Sequence, residues 1–246
     1  MGSFLDHIST FGHGGAAVLF GALAIWQFQR KVEHNRRQIW LVIAIALTSF
    51  WALSIAVEGF QSPISHFAET LRNFGWLAFM FILLRSGEGR DEPTTVNGIY
   101  FALTFVLIGQ MIVDTLLPVF AGSPRLEGVT LYTSLVLRMI FAVGALVLVH
   151  NLYSISAPES RWGIRLPMAS LAAIWTFDLN LYTITYLTQQ FPFELHAMRG
   201  PTMAIVAPIL ALASVRNTDW NLTLSRSVAF RSLSLVAIAS YLLMMV

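Results

Sequence analysis

The sequence contains no cysteine and only one lysine, Lys31, among its 246 residues. The absence of cysteine excludes disulfides, thiolate metal sites and cysteine nucleophiles. Lys31 lies in a predicted loop, so no predicted helix supplies the lysine that a retinal protein needs for its Schiff base. Charged residues make up only 11% of the chain, whereas soluble domains carry roughly 25%. This composition excludes an ordinary soluble domain.

Apolar residues are abundant instead, at 56% of the chain. They fall into runs of about 20 residues, the length that a helix needs to cross the hydrocarbon core of a bilayer. Short linkers containing Pro, Gly and Ser separate the runs. We therefore predict an all-α integral membrane protein, with a single polytopic transmembrane domain over residues 1–246 and no soluble domain. About eight transmembrane helices are predicted, near residues 14–28, 39–60, 67–84, 96–120, 129–152, 164–187, 199–215 and 228–246.

The distribution of basic residues predicts the orientation. Eleven Lys and Arg residues lie in the loops after predicted helices 1, 3, 5 and 7, and three lie on the opposite side. Because cytoplasmic loops carry an excess of Lys and Arg, the N-terminus is predicted to be outside, as is the C-terminus of an eight-helix chain. The last apolar run reaches Val246 without a closing polar residue, which favours a longer parent protein.

Ionisable residues inside predicted spans are costly to insert and therefore mark candidate sites. All six fall in the predicted outer half of the membrane: Glu58, Glu69, Arg72, Asp114, Arg138 and Asp178. Tyr182 shares a helix face with Asp178. We predict that Arg138 pairs with Asp178, with Asp114 or with both. Such a pair is either a structural salt bridge between helices 4, 5 and 6 or part of a polar pocket that binds a ligand or a proton. Glu69 and Arg72 are predicted to form an interfacial pair at the start of helix 3.

Other features favour packing over chemistry. Pro208 lies inside predicted helix 7, where it removes a backbone hydrogen bond and predicts a kink. Small residues in helix 1 predict close helix contact. These are Gly12, Gly14, Gly15, Ala16 and Gly21.

No two histidines have the i,i+4 spacing of a helical metal site, and no HExxH motif occurs. No catalytic residue, metal or cofactor is predicted, and basic residues scattered between apolar runs do not indicate nucleic-acid binding.

Short segments between residues 67 and 246 carry a family resemblance. They are Leu71–Leu77, His150–Tyr153, Arg161–Pro167, Thr176–Tyr182, Met198–Pro201, Ala207–Ile209 and Trp220–Arg226. Together they resemble the membrane region of PEP-CTERM system sensor histidine kinases of the PrsK type. In that family a multi-helix membrane region precedes a cytoplasmic kinase core that phosphorylates a response regulator.

The resemblance implies that this chain is the membrane sensor or input module of a two-component histidine kinase. It implies a parent phosphotransferase in the bacterial inner membrane, a homodimer, and a response regulator as partner. The kinase core, its phospho-accepting histidine and its ATP site have no counterpart in these residues, so no catalytic residue is carried over. The expected signal-sensing residues are Arg138 and Asp178, with Asp114, Arg72, Glu69 and Tyr182 beside them.

Two alternative functions remain open at this stage. A small transporter or channel would need a polar path through the inner half, where the predicted spans hold almost no charge. A membrane enzyme acting on a lipid or prenyl substrate would need clustered acidic or histidine side chains at the cytoplasmic face. The acidic residues there, Glu88, Asp91 and Glu92, lie in a glycine-containing loop that is typical of a solvated connector.

Overall fold

The computed structural model describes residues 2–30, 35–85, 94–120, 122–156 and 158–216. Within these ranges the chain forms seven α-helices and no β-strand. The helices are α1 (Gly2–Gln29), α2 (Arg36–Glu58), α3 (Pro63–Arg85), α4 (Thr94–Phe120), α5 (Pro124–Ile155), α6 (Pro158–Thr188) and α7 (Phe193–Arg216). All of them except α6 are long and apolar enough to cross a membrane. The predicted class, a helical multi-pass membrane protein, is confirmed.

The seven helices coincide with the first seven predicted ones, but each begins earlier than predicted. Three of them begin at a proline that the sequence analysis assigned to a linker, namely Pro63, Pro124 and Pro158. Proline suits the first helical position, because the backbone N–H that it lacks would have no partner there. Hydropathy also marks only the apolar part of a helix and misses its polar first turns. The predicted eighth helix, residues 228–246, lies outside the described residues.

The helices form a closed ring. Each packs against its neighbours in sequence, α7 packs against α1, and α3 also contacts α5 across the ring. The connections between consecutive helices are at most eight residues long, so helices that follow one another in the chain run antiparallel, whereas α1 and α7 run parallel. We call the end at which α1, α3, α5 and α7 begin the N-terminal end of the bundle.

The interior of the ring holds large aromatic side chains, and the outside holds apolar ones. Trp51, Trp76 and Trp175 are all fully buried. On the outer surface of α4, by contrast, Phe101 and Phe105 are largely exposed. An outer surface covered by large apolar side chains is suited to lipid. The helix α7 continues through Pro208 to Arg216, and the kink predicted at this proline stays a prediction.

The packing of α1 against α7 depends on two glycines. A Cβ atom added to Gly200 would lie 2.6 Å from the backbone carbon of Gly12 and would also overlap His13. A Cβ added to Gly12 would meet the ring of Pro201. The predicted close contact of helix 1 is therefore present at Gly12, and a Cβ added to Gly21 would also lie 3.1 Å from Oγ of Ser49 in α2. Neither Gly14 nor Gly15 has any atom within 4 Å of an added Cβ.

We expect the Gly200→Ala variant to destabilise the bundle, because the new methyl group overlaps backbone that cannot move without separating α1 from α7. Overpacking of this kind costs about 1–3 kcal/mol. A lowered melting temperature of the purified protein in detergent would show it. Gly14→Ala, in α1 two residues beyond Gly12 but with no atom within 4 Å of the added Cβ, is the matched control. Equal melting temperatures for both variants would contradict the contact.

Candidate functional site

Seven buried side chains form one connected group near the N-terminal end of the bundle. We call this group the ion network. Each member is at most 8% exposed. The members are Glu69 and Arg72 of α3, Asp114 of α4, Arg138 of α5, Asp178 and Tyr182 of α6, and Arg199 of α7. Three guanidinium groups thus face three carboxylates inside the ring.

Glu69 is the most highly connected member of the network. Its Oε2 accepts a hydrogen bond of 2.5 Å from Nη1 of Arg138. Its Oε1 accepts hydrogen bonds from Nη2 of Arg199 and from the hydroxyl of Tyr182. Nη2 of Arg72 lies 3.7 Å from the same oxygen. One carboxylate of α3 therefore links α5, α6 and α7.

Asp178 makes a second bridge, between α3 and α7. Its Oδ2 accepts a hydrogen bond of 2.6 Å from Nη2 of Arg72, and its Oδ1 accepts one of 2.8 Å from Nε of Arg199. Nη2 of Arg72 also donates to Oδ1 of Asn73 at 3.2 Å. Arg199 consequently contacts both Glu69 and Asp178, and it joins the two bridges into one network.

Asp114 ties α4 to α5. Its Oδ2 accepts a hydrogen bond of 2.8 Å from Nη2 of Arg138. Its Oδ1 accepts bonds of 2.8 Å from Nε2 of Gln110 and from the hydroxyl of Ser134. Arg138 is therefore held between Asp114 and Glu69. The network as a whole joins α3, α4, α5, α6 and α7, so a change at any one member acts on several helices.

Trp51 of α2 lies against two of the guanidinium groups. The Cζ atoms of Arg72 and Arg199 lie 4.3 Å and 4.6 Å from the centroid of its ring. Cations at this distance from an indole ring are attracted to it, by about 2 kcal/mol or more when they are desolvated. This contact brings a sixth helix into the network through an aromatic ring.

The pairing differs in part from the prediction. Arg138 pairs with Asp114, as one predicted alternative had it, but its second carboxylate is Glu69 and not Asp178. Depth along consecutive helices predicts only pairs between sequence neighbours, whereas α3 contacts α5 across the ring. Glu69 and Arg72 do not form an interfacial pair at a helix start. Because α3 begins at Pro63, they lie well inside the helix and are buried.

Two charged residues, Glu58 and Arg199, lie in surroundings that differ from those predicted from the sequence. Glu58, predicted to be embedded, is exposed at the end of α2 and lies outside the network. Arg199, the first residue of predicted helix 7, was counted among the three basic residues of the outer side, but it is 1% exposed and contacts two carboxylates. The helix begins at Phe193, so Arg199 lies in its second turn. Its i−3 and i+4 neighbours, His196 and Met203, are buried on the same face, and that spacing was the available signal.

A cavity of about 480 Å³ adjoins the network on the side of the N-terminal end of the bundle. Volumes between roughly 300 and 1,000 Å³ are typical of small-molecule sites. Part of its wall is formed by Glu69, Arg138, Tyr182 and Arg199 themselves. Polar side chains from the ends of the helices also line it, and these are exposed: Gln61, Glu127, Gln189 and Gln190. The cavity therefore reaches from the N-terminal end of the bundle to the buried charges.

Aromatic rings connect two turns at the rim of this cavity. The rings of Phe60 and Phe191 stack at 4.4 Å between centroids, with an interplanar angle of 9°. The ring of His196 contacts both, with its centroid 4.3 Å from that of Phe191 and 4.8 Å from that of Phe60. Phe60 belongs to the turn between α2 and α3, and Phe191 belongs to the turn between α6 and α7. These rings hold the two turns together beside the network.

Comparisons with known proteins identify no relative. No protein-family model, curated protein or solved structure matches the chain. Within the described ranges, no three His, Asp or Glu side chains are grouped as a metal site would require. Function must therefore be inferred from the geometry of the cavity and the network, and from the resemblance noted in the sequence.

We expect Arg199→Gln to lower the free energy of unfolding by about 3–5 kcal/mol, because removing one partner leaves buried charges uncompensated. Thermal unfolding in detergent measures the change. Arg125→Gln is the matched control: Arg125 is exposed at the start of α5, and an exposed substitution should alter stability by no more than about 0.5 kcal/mol. Similar stabilities for the two variants would show that the Arg199 contacts do not hold the helices.

Proposed function

We propose that this chain is the membrane-embedded input module of a sensor histidine kinase, and that the cavity receives the signal. One observation carries the proposal: the wall of the cavity is built from the side chains that join α3, α5, α6 and α7. A ligand in the cavity that bonds to Arg138, Arg199 or Tyr182 competes with Glu69 for the same donors. Its binding then changes the bonds between helices.

This arrangement meets the thermodynamic requirement for a sensor. A ligand shifts a conformational equilibrium only by its difference in affinity for the two conformations. A ligand contact that takes the place of a bond to Glu69 replaces an interhelical contact, so the affinity of the ligand depends on how the helices are arranged. Buried ion pairs suit such a switch because each bond is either fully made or costly to leave unmade.

The kinase part of the proposal is supported by the resemblance to PEP-CTERM system sensor kinases. It includes a homodimer in the bacterial inner membrane and a response regulator as the partner of the parent protein. The basic residues support an orientation with the N-terminal end of the bundle outside. In that orientation the cavity faces the extracytoplasmic side and the signal acts from there or from the membrane.

Cysteine labelling tests the orientation without background, because the chain has no native cysteine. We expect a membrane-impermeant maleimide to label Gln190→Cys in intact spheroplasts, since Gln190 is exposed at the N-terminal end. Arg216→Cys, exposed at the end of α7, should be labelled only after the membrane is opened. The reverse pattern would place the cavity on the cytoplasmic side and contradict this part of the proposal.

The natural gene product, purified into lipid nanodiscs and given radiolabelled ATP, tests the kinase assignment. We expect an acid-labile, base-stable phosphoryl label, as phosphohistidine gives. Glu69→Gln should change the labelling rate at least about fivefold, because coupling free energies between sites are typically 1–3 kcal/mol. Glu194→Gln removes the same charge at an exposed position of α7 and should label at the wild-type rate.

The outcomes of this experiment separate the two parts of the proposal. A protein that takes no label under any condition is not a kinase, and the assignment would be wrong. If the protein is labelled but Glu69→Gln and Glu194→Gln are labelled at the same rate, the kinase assignment stands. The proposed role of the ion network in signal transmission is then wrong.

A further inference from the structure

A second hollow lies beside the cavity, in the outer surface of the bundle between α5 and α6. Its volume is about 570 Å³. Val136 and Leu137 of α5 line one side, and Tyr186 and Leu187 of α6 line the other. Leu187 is 72% exposed. We call this hollow the α5–α6 groove. Its apolar side chains lie on a surface that, in a bilayer, meets lipid tails.

The groove and the cavity adjoin. Tyr132 and Gln189 line both of them. The ring of Tyr132 packs edge-on against that of Tyr186, with 6.1 Å between centroids. A continuous site therefore runs from the lipid-facing surface, past one tyrosine side chain, to the ion network.

The backbone at this junction is strained. Gln189 has a φ of 52°, and within the described ranges it is the one residue other than glycine with a positive φ. The left-handed conformation costs an ordinary residue roughly 1–2 kcal/mol. Strained residues of this kind cluster at ligand sites and switches. The strain places the Gln189 side chain where the polar cavity meets the apolar groove.

The charge balance of the network decides what kind of head group the cavity accepts. Each guanidinium contacts at least one carboxylate, and three of each are present. A charged head group that reached the network would add a buried charge without a partner there, at a cost of several kcal/mol. An uncharged hydroxyl or carbonyl oxygen avoids this cost and still forms hydrogen bonds with Tyr182, Ser134 or the glutamine amides of the rim.

We propose that the cavity and the α5–α6 groove form one binding site for a neutral, single-chain amphiphile from the membrane. Its uncharged, oxygen-bearing head occupies the cavity, and its acyl or prenyl chain lies in the groove. The inference rests on the proposed function, since it names the signal as a membrane-borne neutral lipid. The buried Nδ1 of His196, on the cavity wall, has no hydrogen-bond partner within the described residues, so a polar group of the ligand is expected beside it.

Photo-cross-linking of the purified protein in nanodiscs tests the site. The probe is a monoacylglycerol that carries a diazirine in its acyl chain, and the sites of attachment are mapped by mass spectrometry. We expect labelling at residues 132–137 and 186–189. Unlabelled monoolein should compete at least about tenfold better than oleate or oleylamine, which have the same chain but a charged head.

Two variants make the test specific. Leu187→Trp fills the groove at a lipid-exposed position and should reduce the labelling at least about fivefold. Phe105→Trp is the control, because Phe105 is equally exposed, at 72%, on α4 away from the groove. Labelling as strong around Phe101 and Phe105 as in the groove would mean general lipid contact and overturn the proposal. Equal competition by oleate or oleylamine would overturn the neutral head.

This experiment reads binding and needs no kinase activity. If the probe cross-links specifically to a protein that is not phosphorylated, the lipid site is supported and the kinase assignment is wrong. Phosphorylation without specific labelling would keep the kinase and reject the lipid as its signal.

Discussion

The carboxylate of Glu69 lies between two guanidinium groups and a tyrosine hydroxyl, and the arrangement of the bundle depends on this contact. A single ionised side chain inside a bilayer costs at least about 2.5–3.5 kcal/mol. Six such charges are tolerated here because each arginine touches a carboxylate from another helix. The ion pairs therefore fix which helices face one another and at what depth. The hydrophobic effect cannot do this in a bilayer, since lipid tails are as apolar as leucine.

Adjacent residues of α7 connect this network to the closure of the ring. Arg199 contacts Glu69 and Asp178, while Gly200 lies against the backbone of α1. The position of α7 along α1 thus determines where the guanidinium of Arg199 lies. A displacement of α7 that moves Arg199 therefore also moves the contact of Gly200 with the backbone of α1.

The described helices and most of the buried charged residues were predictable from the sequence. Apolar runs predicted the seven described helices, because lipid imposes a minimum length on each span. Most of the observed helix ends lie within a few residues of the predicted ones. The cost of burying charge singled out Glu69, Arg72, Asp114, Arg138 and Asp178. Their pairing was not predictable, since it depends on the closure of the ring and on the contact of α3 with α5. Arg199 was missed because hydropathy does not register the polar first turns of a helix.

The balance of three guanidinium groups against three carboxylates has a consequence for the electrical behaviour of the protein. A membrane potential does work of about 2.3 kcal/mol per 100 mV on each elementary charge that crosses it. The ion network has no net charge, so the same potential does no net work when the network moves as a unit. Helix movements that carry the whole network as a unit therefore add no voltage dependence. Under the proposed function, such a movement would report the contents of the cavity independently of the voltage across the membrane.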